Sequence, residues 1–64
     1  MEHEEIMRAL LQWMTGETGV VLSIEREGAE WQVTITRHGE QLGGAGALHL
    51  HRALQEAGEQ AGAL

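Results

Sequence analysis

The stretch Val20–Gly39 reads VVLSIEREGAEWQVTITRHG, and it decides the fold. Trp31, Val33 and Ile35 alternate with Gln32, Thr34 and Thr36, the period of two that a half-buried strand requires. Val20 to Arg26 repeats the pattern, with Leu22 and Ile24 set against Ser23 and Glu25. Glu27-Gly28-Ala29-Glu30 joins the two runs, with glycine at a turn position. His38-Gly39 reads as a two-residue hairpin turn, with histidine where Asn or Asp is commoner. Residues 40–44 then form a short third strand.

Register tests this meander. A Gly28-Ala29 turn sets Arg26 opposite Trp31, Ile24 opposite Val33 and Leu22 opposite Ile35. A His38-Gly39 turn sets Ile35 opposite Leu42. Leu22, Ile24, Trp31, Val33, Ile35 and Leu42 then share one face, an agreement that a one-residue slip would destroy. The other face carries Val21, Ser23, Glu25, Gln32, Thr34, Thr36 and Gln41, and it is expected to stay open to solvent.

Helical periodicity flanks the strands. Ile6, Leu10 and Met14 recur at i, i+4 and i+8, with Met7 and Leu11 widening the stripe and Trp13 on its flank. This predicts a helix over residues 3–15. Glu2, Glu4 and Glu5 suit its positive N-terminal end, and Gly16 is a natural stop. A second helix is expected from Ala47 or Leu48 to about residues 58–62. Its apolar stripe is Leu50, Ala53, Leu54, Ala57, Ala61 and Leu64, with His49, Arg52, Glu56 and Glu59 opposite. Gly58 and Gly62 each cost about 1 kcal/mol against alanine inside a helix, so fraying after Ala57 is expected over a smooth packing face. The fold class is α+β: an α-β-β-β-α chain, a three-stranded antiparallel meander with both helices on one face, in a single domain spanning residues 1–64.

Composition narrows what such a domain can do. At 64 residues it buries only about 60% of its unfolded surface, and without cysteine it has no disulfide to compensate. Self-association is the expected remedy. Ten glutamates against four arginines give a net charge of −6, which repels a duplex and suits either solubility or a basic partner. No apolar run approaches a membrane span of about 18 residues. The acidic start Met1-Glu2-His3-Glu4-Glu5 lacks the basic residues of a signal peptide, so the expected location is cytoplasmic.

Each candidate for chemistry has a plainer reading. Gly43-Gly44-Ala45-Gly46 lies between a strand and a helix, where backbone N–H groups can bind phosphate. It has no G-K-[ST] and no complete G-x-G-x-x-G, so a tight turn is expected and no cofactor. His49 and His51 point about 200° apart if both are helical, and no metal is expected. Glu2/Glu4/Glu5, Glu25/Glu27/Glu30 and Glu56/Glu59 pair carboxylates without a pocket to separate their pKa values. No serine, histidine and aspartate are ordered as in a triad, so no enzyme and no catalytic residue is expected. Trp31 is expected in the core, stacked by Arg26 across the strands.

The order helix, three-stranded meander, helix resembles the double-stranded-RNA-binding domain over nearly the whole chain, at the level of topology. Gly44-Ala45-Gly46 before a helix rich in Ala53, Leu54, Ala57, Ala61 and Leu64 is its local echo. That family's RNA contacts rest on a basic cluster opening the second helix and on a long loop between the first two strands. Here the helix opens Leu48-His49-Leu50-His51-Arg52 and the 27–30 loop is short, so the resemblance implies a fold and brings no binding residues.

These readings converge on a non-enzymatic, acidic protein–protein interaction module. The expected type is a phage-type inhibitor or antitoxin-like binder of a basic nucleic-acid-handling protein. The alternatives are a structural or assembly subunit that forms homo-oligomers, or a degenerate nucleic-acid-binding domain. A protein partner and a homodimer are expected, with Val21, Ser23, Glu25, Thr34, Thr36, Glu56 and Glu59 as contact residues. Nucleic acid and membrane are not expected as partners.

Overall fold

The computed structural model describes residues 3–64. They form α1 (His3–Thr15), β1 (Val20–Glu27), β2 (Glu30–Arg37), β3 (Glu40–Ala47) and α2 (Leu50–Ala61). The strands make one antiparallel sheet in the order β1-β2-β3. The fold is the expected α-β-β-β-α arrangement; the expectation for Glu2 lies outside the described residues.

The first hairpin has the register its sequence requires, with Leu22 opposite Ile35, Ile24 opposite Val33 and Arg26 opposite Trp31. Gly28 takes the first central turn position at φ 63°, where a side chain would be strained. At the second turn both His38 (φ 50°) and Gly39 (φ 82°) are left-handed, the geometry that matches strand twist.

The second hairpin corrects the expected pairing. Arg37 faces Glu40 and Thr36 faces Gln41, but Ile35 faces Gly43, not Leu42. Leu42 is the extra residue of a β-bulge between these pairs, and it still packs against the core. The strand also continues through the glycine-rich segment to Ala47, where a turn after residue 44 was expected. The reason is close packing. A Cβ at Gly43 would meet the Ala57 carbonyl oxygen, and would lie 3.1 Å from Gln60 Cβ and 3.2 Å from Ala61 N. Only glycine lets the backbone of α2 approach β3 this closely. Gln60 Oε1 accepts a hydrogen bond from the Gly44 N–H at 3.0 Å, tying helix to strand.

Consequently α2 starts later than expected, at Leu50, with His49 as an extended N-cap residue. It also does not fray after Ala57. Gly58 is buried, and a Cβ there would come within 2.9 Å of Leu10 Cδ2 and 2.8 Å of Leu64 Cδ1. The smooth face is therefore the contact between the two helices. Past the helix end, the Ala63 N–H donates to the Gly58 oxygen at 2.8 Å, a turn that folds Leu64 back over Gly58.

The core is Ile6, Leu10, Val33, Ile35, Ala53, Leu54 and Ala57. α2 packs on β2 and β3, and α1 packs on α2. The apolar face of β1 is left partly uncovered: Leu22 and Trp31 are half-buried, and Ile24 is 39% exposed instead of buried. Leu11, expected in the α1 stripe, is 54% exposed. Arg26 does lie over the Trp31 ring, 5.4 Å from its centroid. α1 ends at Thr15 as expected, though its stop uses hydrogen bonds from the Gly16 and Glu17 N–H groups to Trp13 and Met14 oxygens, with no left-handed residue at 16.

Candidate functional site: the open sheet face

Antiparallel pairing fixes which side chains share the uncovered face. Val21–Thr36–Gln41, Ser23–Thr34–Gly44 and Glu25–Gln32–Gly46 form three rows across the sheet. Glu27 and Glu30 extend that face at the end of the first hairpin. Gly44 and Gly46 lie beneath the Gln41 and Gln32 side chains, whose amide nitrogens come within 2.7 Å of where a Cβ would stand. The outcome is a low polar surface with one large apolar residue in its rows, Val21, 55% exposed.

Among the described residues, charge on this face has one sign. Glu25, Glu27 and Glu30 stand on it, all exposed. None of the four arginines does: Arg26 and Arg37 project to the helix side of the sheet, Arg8 is on α1 and Arg52 on α2. Arg37 donates to Glu17 Oε2 at 2.9 Å, pinning the α1–β1 loop to the sheet on the helix side. At the hairpin end of the open face, a shallow pocket of about 440 Å³ is lined by Glu27, Ala29, Glu30, Gln32 and Leu48. Leu48 is 65% exposed. Carboxylates beside an aliphatic wall suit a lysine or arginine, whose stem packs while its head pairs.

The expected contact residues are divided by this geometry. Val21, Ser23, Glu25, Thr34 and Thr36 come together on the open face. Glu56 and Glu59 are exposed on α2, on the far side of the molecule. Glu27, Glu30 and Leu48 were not among the expected residues. For the two glutamates the signal was available, since continuing the alternation past Glu25 puts them on its face. Leu48 was hidden by placing it in a helix.

The other candidates resolve differently. The glycine-rich segment is strand, so it presents no helix N-terminus to a phosphate. His49 and His51 do not diverge; their rings stack 5.7 Å apart because His49 precedes the helix in extended geometry. Among the described residues, no group of three His, Cys, Asp or Glu could hold a metal ion. A groove of about 640 Å³ runs along the outer face of α1, lined by Glu4, Met7, Arg8, Leu11, Gln12 and Thr15. Every described residue that lines it is on this one helix, so they form a single wall and not an enclosure. Among the described residues, no helix is long and apolar enough to cross a membrane. No protein-family model, no curated protein and no solved structure matches the chain.

Proposed function

We propose that this chain is a non-enzymatic interaction module that holds a basic protein segment on its open sheet face. The observation that supports this reading is the sorting of charge: three glutamates and no arginine on the one face that neither helix covers. An inhibitor or antitoxin-like protein that occupies the nucleic-acid-binding surface of a basic partner needs such a face. Its carboxylates would stand where phosphates stand in the partner's own complex, and the attraction would speed encounter and weaken with salt. The pocket at Glu27, Glu30 and Leu48 fits one anchoring Arg or Lys side chain.

The test uses an arginine-rich decapeptide and calorimetric or anisotropy titration at low and at physiological salt. Glu25→Gln/Glu27→Gln/Glu30→Gln should abolish binding. A control that removes the same charge elsewhere, Glu5→Gln/Glu56→Gln/Glu59→Gln, should retain most of it. Equal loss in both variants would reduce the effect to net charge and overturn the reading. A structural or assembly role is the second reading, and the uncovered β1 edge favours it.

A further inference from the structure

The two edges of the sheet are treated unequally. The β3 edge lies against α2, and its outward Gly44 N–H is taken by the Gln60 side chain. β1 has no such cover among the described residues, and every residue from Ser23 to Glu27 is exposed. It carries no proline, no lysine and no bulge, three of the usual protections of a free edge, and its charges Glu25, Arg26 and Glu27 are confined to its last three residues. We propose that β1 pairs with β1 of a second copy of this chain, antiparallel about a two-fold axis at Ser23, to make a continuous six-stranded sheet.

The register follows from the backbone. The Gly19 carbonyl accepts from the His38 N–H, so Gly19 points towards β2. Alternation then turns the N–H and C=O groups of Val20, Leu22, Ile24 and Arg26 outward. Of the two-fold registers that bring outward groups face to face, those centred on Leu22, Ser23 and Ile24 overlap the strands most. The Ser23 register sets Val20 against the second copy's Arg26 and Leu22 against the second copy's Ile24. The axis repeats both pairs, giving about eight hydrogen bonds, where each alternative gives about six within the strands.

Side chains select the same register. On the helix side, the half-exposed Leu22 and Ile24 of one copy cover Ile24 and Leu22 of the other, completing the apolar face that α1 and α2 leave bare. On the open side, Val21 gains the Glu25 stem as its neighbour. The two Glu25 residues then stand four positions apart along the strands, about 13 Å. That exceeds the screening length of about 8 Å at physiological salt. The Ile24 register halves that separation. The Leu22 register brings Glu27 opposite Glu17. The inference is independent of the basic partner, although pairing would double the acidic face presented on one side of the assembly.

Cysteine pairing reads the register directly, because the native chain has no cysteine. Across the axis the two Ser23 residues form a non-hydrogen-bonded pair with Cα atoms about 4.5 Å apart, within disulfide range. On air oxidation, Ser23→Cys should form a covalent dimer roughly tenfold or more faster than Val21→Cys or Glu25→Cys alone, reflecting its effective concentration. Mixed Val21→Cys and Glu25→Cys chains should cross-link with each other. The unmodified protein should sediment at twice the 7.0 kDa chain mass. Ile24→Pro removes an outward N–H and no hydrogen bond to β2, and it should give a folded monomer; Ile24→Lys should do the same without fixing the backbone. A wild-type monomer at millimolar concentration overturns the proposal. So does Ser23→Cys oxidising no faster than its neighbours, or preferential cross-linking of Val21→Cys with Ser23→Cys.

Discussion

Gly43 and Gly44 are adjacent, chemically identical and predicted to behave oppositely on replacement by alanine. A methyl at Gly43 points at α2, where its neighbours are the Ala57 carbonyl, Gln60 Cβ at 3.1 Å and the Ala61 nitrogen at 3.2 Å. Two of these are backbone atoms inside a helix, so they move only if the helix moves. Shifting α2 outward loosens Ala53, Leu54 and Ala57, three of the seven buried apolar residues among those described. Overpacking of this kind costs about 1–3 kcal/mol. Neither glycine has positive φ, so alanine recovers roughly 0.5–1 kcal/mol of chain entropy at either site. Gly43→Ala should therefore destabilise by about 1–2 kcal/mol, lowering Tm by roughly 4–15 °C in a domain this small. At Gly44 the contact within 3 Å is the tip of the flexible Gln41 side chain, 2.7 Å away on the open face. Gly44→Ala should be neutral or stabilising by up to about 0.5–1 kcal/mol. Urea titration followed by circular dichroism measures both. Equal stability of the two variants, or greater loss at Gly44, would refute the account of why β3 is rich in glycine.

Two further predictions follow from burial and charge. Val33→Ala and Ile35→Ala each truncate a fully buried side chain at the centre of the sheet and should cost about 2–5 kcal/mol. Ile24→Ala, at a position 39% exposed, should cost less than half as much; a reversed order by chemical denaturation would mean the core is misassigned. At physiological salt, duplex DNA or RNA should show no measurable binding, given the net charge of −6. A salt-sensitive Kd tighter than about 10⁻⁶ M would overturn the charge argument.

The first hairpin was legible because its alternation is strict and its turn is short, so pattern and turn geometry specify one register. The second was not. A bulge at Leu42 leaves the apolar residue on the core side, and hydrophobic patterning cannot distinguish the two pairings. Glycine misled at both ends of the chain's second half for one reason. Local propensity marks Gly43, Gly44 and Gly46 as a turn and Gly58 as a helix terminator. Tertiary packing uses Gly43 and Gly58 as places where backbones and leucines come close. The candidate site was legible in its rows from Val21 to Thr36, which follow from period two. It was not legible in Leu48, whose position depends on β3 running to Ala47. Nor does sequence alone separate Glu56 and Glu59 from the open face, because total acidity carries no direction.

In the proposed function the open face, not the protein's overall acidity, receives a basic partner. Backbone amide shifts of the ¹⁵N-labelled protein, titrated with the arginine-rich decapeptide, test it most directly. The largest changes should map to Ser23, Glu25, Glu27, Glu30, Gln32 and Leu48, and they should shrink as salt is raised. Shifts concentrated at Glu56 and Glu59 on α2, or spread evenly over all acidic residues, would contradict it.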